Sequence, residues 1–212
     1  MVKIDKELDG MEQNVLKMGN KVIAMHEAVI AVLSQQDKEK ELEIVQADDR
    51  INHLEEEIND QAIASLALLS PVASDLRKVI AAIKIACELE RIGDYAKNIA
   101  IFLIKNEHLD MTILEYAQTM EKEFIVMLEE TMKCYLNKDV EKAFEIPEID
   151  KEINSLMKET KHNLTKKQED DLIGHIFEVS SMLRNIERAG DHVKNICEHI
   201  IYMIKGQHYD FG

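Results

Sequence analysis

Two rows of oxygen-bearing side chains are the features of this sequence that could carry chemistry. In each row an acid is followed four and eight residues later by another polar side chain, a spacing that aligns all three on one face of a helix. The rows are Glu90, Asp94, Asn98 and Glu187, Asp191, Asn195. Carboxylates at this spacing repel each other by roughly 0.2–0.5 kcal/mol. A cation between them would remove that cost, which a purely structural helix has no reason to carry.

Two further features accompany each row. A glycine inside the same turn, Gly93 or Gly190, costs about 1 kcal/mol relative to alanine, but it lets a backbone or an ion approach closely. In each half, the predicted helix before the row carries an aspartate and an asparagine four residues apart, on the flank of its apolar stripe. These pairs are Asp48, Asn52 and Asp150, Asn154. Because consecutive helices of a three-helix unit are antiparallel neighbours, we expect each pair to face its row.

All of these candidate ligands are oxygen donors. Such a set favours hard cations such as Mg²⁺, Ca²⁺, Mn²⁺ or iron and argues against a structural zinc site. We therefore predict a divalent or trivalent metal, with iron, Mn, Mg, Ca or Zn open as its identity. Two simpler interpretations remain. The rows could be solvated helix faces, or Arg91 and Arg188 could pair with acids on a neighbouring helix in a structural ion network.

An internal repeat organises the chain. The 11 residues from Glu90 match those from Glu187 at seven positions, and 37–40 and 48–52 have counterparts at 139–142 and 150–154. Glycine and proline are scarce, with 7 and 2 residues, which favours long helices over strands joined by turns. We predict an all-α protein of two tandem, internally repeated three-helix bundles. The predicted domains are 1–106 and 107–212.

The hydrophobic periodicity predicts six helices. They cover about 7–34, 37–69, 71–105, 110–136, 139–164 and 168–205. Pro147 should kink or restart the fifth helix, and the tail after Gly206 should fray. The third and sixth helices should each turn an apolar stripe to the core. The stripes are Ile85, Leu89, Ile92, Ala96, Ile99, Leu103 and Val179, Leu183, Ile186, Val193, Ile196, Ile200.

Charge and composition restrict the classes of partner. The net charge is −15 and there is no lysine- or arginine-rich cluster, so a nucleic-acid partner is not expected. The acidic surface disfavours free phosphate and anionic lipid but suits a basic protein surface. No apolar run reaches the roughly 20 residues that span a bilayer, so membrane association should occur only through partners. Three widely spaced cysteines and a charged amino-terminal segment indicate the cytoplasm.

Four segments give the chain a specific likeness. They are Pro71–Arg77, Glu88–Asp94, Ile186–Asp191 and Tyr202–Gln207. With these segments the chain resembles the bacterial PhoU family over its whole length. The resemblance implies two three-helix bundles, frequent homodimers, and metal binding at E/D-x-x-x-D motifs, here Glu90 and Asp94 in one half and Glu187 and Asp191 in the other. One departure is that Asn52 and Asn154 stand where carboxylates would complete the motifs of the second predicted helix.

The resemblance also implies a function in transcription regulation and phosphate homeostasis. PhoU-like proteins repress the phosphate-starvation response by working with the ATP-binding subunit of the phosphate ABC transporter and with a sensor histidine kinase. We therefore predict a cytoplasmic adaptor that modulates phosphate uptake and is not an enzyme. Partner contacts are expected at Asp75, Arg77, Arg91 and Arg188. The alternatives are a carboxylate-bridged metal-binding protein or metalloenzyme, and a paralogue that serves another transporter.

Overall fold

The computed structural model of the protein describes residues 2–106, 109–166 and 170–212. Within these ranges the chain forms α-helices and no strands, as predicted. The helices are α1 (Val2–Ser34), α2 (Lys38–Leu69), α3 (Ala73–Lys105), α4 (Met111–Asn137), α5 (Val140–Glu145), α6 (Pro147–Lys166) and α7 (Asp170–Lys205). The predicted domain boundary falls at residues 107–108, outside the described residues.

Aspartate caps begin three of the helices. Asp37 accepts hydrogen bonds from the backbone amides of Glu39 and Lys40, and Asp139 accepts one from Lys142. Asp110 caps α4 in the same way. A side-chain acceptor here satisfies amides that have no partner within the helix. The repeat between 37–40 and 139–142 is therefore a repeat of helix starts.

The helix boundaries depart from the predictions in two places. The first helix begins at Val2, about one turn before the predicted residue 7. Pro71 precedes α3, which begins at Ala73. As predicted, Pro147 restarts the fifth helix and divides it into α5 and α6, because proline has no amide hydrogen to continue the helix. The predicted start of the last helix, residue 168, lies outside the described residues.

Equivalent helices of the two halves meet at the centre of the molecule. Helix α3 packs against α7 and α1 against α4, while α2 and α6 each contact only helices of their own half, among the described residues. Both predicted apolar stripes are buried. The two three-helix bundles therefore share one hydrophobic core, with α2 and α6 as its outer helices.

A buried ion pair crosses this core. Nδ1 of His26 on α1 lies 2.9 Å from Oε2 of Glu121 on α4, and both side chains are 0% exposed. Nε2 of the same ring donates to the carbonyl of Ile92 at 3.1 Å. The ring also packs against Phe124 with centroids 4.5 Å apart. Since this buried imidazole of α1 contacts both α3 and α4, it fixes the two halves relative to each other.

The carboxyl-terminal tail makes specific contacts with α7 although most of its residues are exposed, and that it frays stays a prediction. Gly206 turns the chain back with φ +71°, a conformation that favours glycine. His208 then stacks on Tyr202 at 4.4 Å, and the amide of Phe211 donates to Glu198 at 2.9 Å. Such contacts are not visible as helical periodicity. No helix of the described part of the chain is both long and apolar enough to cross a membrane.

Candidate functional site at the two acidic rows

The first acidic row meets α2 through a lysine. The ammonium of Lys97 lies 2.7 Å from Asp48 on α2 and 2.6 Å from Asp94 on α3. The side-chain amide of Asn52 donates to the same oxygen of Asp48, Oδ2, at 3.2 Å. Asp48 is only 3% exposed, although its sequence position suggested the flank of the helix. The site therefore consists of two carboxylates with one ammonium between them.

The second half repeats this arrangement. Lys194 lies 3.2 Å from Asp150 on α6 and 2.8 Å from Asp191 on α7, and Asn154 donates to Asp150 at 2.7 Å. Asp150 is also 3% exposed. Lys194 reaches the carbonyl of Gly212 at 3.4 Å as well, so the tail covers this copy. The predicted approach of the Asp–Asn pairs to the rows thus occurs in both halves.

Electrostatics keep both lysines charged. Burial opposes the charge of Lys97, but the hydrogen bonds that it donates to Asp48 and Asp94 outweigh burial and raise its pKa. Burial likewise opposes the charge of Lys194, and its aspartate partners raise its pKa in the same way. Burial, followed by the nearby charge of Asp94, raises the pKa of Glu90.

As these side chains stand, the acid pairs do not fit a metal ion, because an ammonium fills the position that a shared cation would take. Among the described residues, no group of three or more His, Cys, Asp or Glu side chains is arranged to hold one. One feature favours an added cation: among the described residues, Oδ1 of Asp48, Asn52 and Asp150 is buried without a hydrogen-bond partner. The metal therefore stays a prediction, and it would have to displace the lysines.

The glycines of the two rows have different surroundings. A Cβ atom at Gly190 would lie 2.6 Å from Oδ1 of Asp150, so any other residue at this position would force the Asp150 side chain to move. A Cβ atom at Gly93 would make only ordinary contact with Ile51, at 3.4 Å. Close approach of a carboxylate to the helix backbone therefore requires glycine in the second copy alone.

Not every predicted ligand joins its site. Asn98 is exposed and lines a cavity with Phe102 and Asn185. Asn195 instead donates to Glu88 at 3.1 Å, across the contact between α3 and α7. Glu187 is half-buried, as is Glu90. The eight-residue spacing aligns three side chains along one helix. Because the neighbouring helix diverges from that line, the third side chain of each row does not reach the site.

A polar cluster joins α3 to α7 where the repeats meet. Nδ1 of His192 lies 2.5 Å from Oε2 of Glu88, and Nε2 of the same ring lies 3.1 Å from the hydroxyl of Tyr95. His199 lies 3.7 Å from the same glutamate. Burial opposes ionisation of Glu88, but hydrogen bonds from His192, His199 and Asn195 lower its pKa to about 2. Tyr95 and His192 are equivalent positions of the repeat, so the two motifs meet at this point.

The predicted partner-binding residues lie in two places. Arg91 is 57% exposed and lies 3.6 Å from Glu90 and 4.0 Å from Asp94, acids of its own helix and not of a neighbouring one. Arg188 is also exposed, and the charges of both arginines act on Tyr95. They therefore flank the meeting point of the repeats.

The other two predicted contacts lie near the start of α3. Asp75 is 3.8 Å from Lys78. Arg77 is half-buried, and its guanidinium lies 3.4 Å from the position of an added Cβ on Gly206. The turn into the tail therefore covers part of Arg77.

Sequence reasoning missed Lys97 and Lys194, although a signal was present. In both copies a lysine follows the motif aspartate by three residues, the spacing of an ion pair on a helix. The cluster of Glu88, Tyr95 and His192 left no such signal, since its members are distant in sequence. Only the packing of α3 against α7 brings them together.

Comparison with known proteins agrees with the repeated architecture. The family model of the PhoU domain matches residues 15–103 and again 117–200. The phosphate-specific transport system accessory protein PhoU of Serratia marcescens is 31% identical over 97% of this chain and 86% of its own length. The protein of the same name from Escherichia coli is 30% identical over 98% of this chain and 87% of its own.

Solved structures give the same result. The crystal structure of the phosphate transport system regulatory protein PhoU from Streptococcus pneumoniae matches with a TM-score of 0.89 and 28% identity, covering 98% of this chain and all of that one. That of PhoU from Pseudomonas aeruginosa matches with a TM-score of 0.87 and 26% identity, covering 96% and 99%. With its two matched domains, its repeated motifs and its shared core, the chain belongs to the PhoU family.

Proposed function

We propose that this protein is a regulatory accessory protein of the phosphate transport system and represses the phosphate-starvation response when phosphate is abundant. The observation that carries the proposal is the match over nearly the whole chain to proteins named as accessory or regulatory proteins of that system. The two repeated motifs and their spacing agree with it. The role is regulatory and not enzymatic.

The proposed mode of action is that of a cytoplasmic adaptor, active as a homodimer. It connects the ATP-binding subunit of the phosphate ABC transporter with a sensor histidine kinase and reaches the membrane only through them. The net charge of −15 supports this, because an acidic surface disfavours capture of free phosphate and favours basic protein surfaces. A metal cofactor is not part of this proposal.

We propose that partners dock on the face where the two motifs meet, here named the motif face. It consists of Glu90, Arg91, Asp94, Glu187, Arg188 and Asp191. Contact between Tyr95 and His192, with ring centroids 5.5 Å apart, supports this because it brings both copies to one surface. Asp191 is 54% exposed and Arg91 is 57% exposed, so charged groups of both signs are available to a partner.

The first test of the function is a clean deletion with a phosphate-starvation reporter in phosphate-rich medium. We expect high reporter activity, returned to a low level by the wild-type gene. Full repression without the gene would contradict the proposed role.

The docking face is tested by charge reversal. Glu90→Lys combined with Glu187→Lys reverses two acids of the motif face and should weaken binding to a basic surface of the transporter subunit or the kinase at least about tenfold, which corresponds to about 1.4 kcal/mol, and should raise the reporter. Glu115→Lys, at an exposed position on α4, is the matched control and should bind normally. Equal binding by the double variant and the control would remove the motif face from the proposal while leaving the regulatory role intact.

A further inference from the structure

The same three-part arrangement occurs in both repeats. In each, one lysine ammonium lies between an aspartate of the outer helix and an aspartate of the motif helix. The distances are 2.7 and 2.6 Å around Lys97, and 3.2 and 2.8 Å around Lys194. The aspartate and asparagine of the outer helix, and the aspartate and lysine of the motif helix, are the same residue types in both copies.

The asparagine of each outer helix donates a hydrogen bond to the buried aspartate, as the lysine does. Asn52 and Asn154 turn their amide nitrogens, and not their oxygens, toward the buried aspartates. An amide that serves as a metal ligand presents its oxygen, whereas one that stabilises a carboxylate donates a hydrogen bond. Oδ2 of each buried aspartate therefore receives two donors, one of them charged.

The position of the ammonium decides which cation the site holds. Hard metal ions lie 2.0–2.6 Å from carboxylate oxygens, in the space between the two acids, and the lysine nitrogen already lies there. Two cations in that space would repel each other strongly at low dielectric. The lysine is covalently attached, so its local concentration does not depend on the metal supply of the cell.

We propose that Lys97 and Lys194 are the resident cations of the two acidic sites, and that they fasten the outer helices α2 and α6 to the central helices without a metal ion. Each lysine joins an aspartate of one helix to an aspartate of the next, which is the role that a bridging cation would otherwise fill. The proposal concerns these side chains alone and does not depend on the regulatory function.

The test begins with the unmodified full-length protein. After purification, we expect less than one metal ion per chain by elemental analysis. Its Tm should change by less than about 1 °C with either EDTA or 1 mM Mn²⁺, because a site without millimolar affinity gains almost nothing from the ion. A fall of the Tm in EDTA that Mn²⁺ reverses would overturn the proposal, whatever the variants do.

Substitution of the lysines is the second arm. Lys97→Met and Lys194→Met keep the length of the side chain and remove its charge, which leaves a buried aspartate without a cation. Each should lower the Tm by about 5 °C or more. Lys133→Met is the matched control, since Lys133 pairs only with Glu129 and Glu130 of its own helix and is 60% exposed. Variants as stable as this control would overturn the proposal.

Discussion

The buried pair of His26 and Glu121 gives the sharpest test of how the two repeats are joined. Removal of the imidazole by His26→Leu would leave the Glu121 carboxyl at 0% exposure without its partner, and Oε1 of that group has no hydrogen bond to compensate. Loss of one member of a buried pair costs about 3–5 kcal/mol. For a chain of 212 residues this corresponds to a fall in Tm of roughly 6–20 °C.

The double variant His26→Leu with Glu121→Met separates the pair from the packing around it. Both new side chains are apolar and similar in volume to the originals, so the free energy of unfolding should return to within about 1.5 kcal/mol of the wild type, or exceed it. Glu121→Gln keeps the shape and can donate to Nδ1, so it should cost less than His26→Leu.

The measurement is urea unfolding of the four proteins of the double-mutant cycle, followed by far-ultraviolet circular dichroism. We expect a coupling free energy of at least about 2 kcal/mol between the two positions. Additive losses, with coupling below about 0.5 kcal/mol, would refute the reasoning. The pair would then be two independent packing residues and not a link between the halves.

Two further predictions follow from the acidic sites and the cluster between the repeats. Gly190→Ala should be about 1–3 kcal/mol less stable than Gly93→Ala in urea unfolding, because only the former forces Asp150 to move, and equal stabilities would contradict this. The pKa of Glu88 is about 2 in the folded protein and 4.5 in the unfolded chain. The ionised carboxylate therefore stabilises the fold above about pH 4.5, and this stabilisation is lost as the pH falls toward 2. Between pH 4.5 and 2 the free energy of unfolding of Glu88→Gln should therefore fall less than that of the wild type, by up to about 3 kcal/mol. If the two curves of unfolding free energy against pH run parallel, the assigned role of the cluster with His192 is excluded.

Periodicity and repetition predicted much of the fold because they are local properties. The apolar stripes of α3 and α7 identified core residues that are all buried, and Asp37 and Asp139 marked equivalent helix starts. Pro147 marked the break between α5 and α6. Each of these follows from the geometry of a single helix, for which neighbouring residues in sequence are neighbours in space.

The candidate site was predicted only in part. The prediction that Asp94 lies close to Asp48, and Asp191 close to Asp150, was correct. Consecutive helices of a bundle are antiparallel neighbours, so this approach follows from the positions of the motifs along the chain. It did not predict that Asp48 would be almost fully buried or that Lys97 would lie between the acids. Side-chain direction at a helix flank depends on the crossing of two helices, which no single-helix pattern contains.

By itself, the sequence determined the helical class, the duplication, the core stripes and the two acidic motifs, because all of them are written in spacing along one chain. The tertiary structure alone decided how the halves join: α3 against α7, His26 against Glu121, and His192 between Tyr95 and Glu88. These contacts connect residues 95 to 104 positions apart. The free energy of such a contact depends on burial and on distance in space, and a linear pattern records neither.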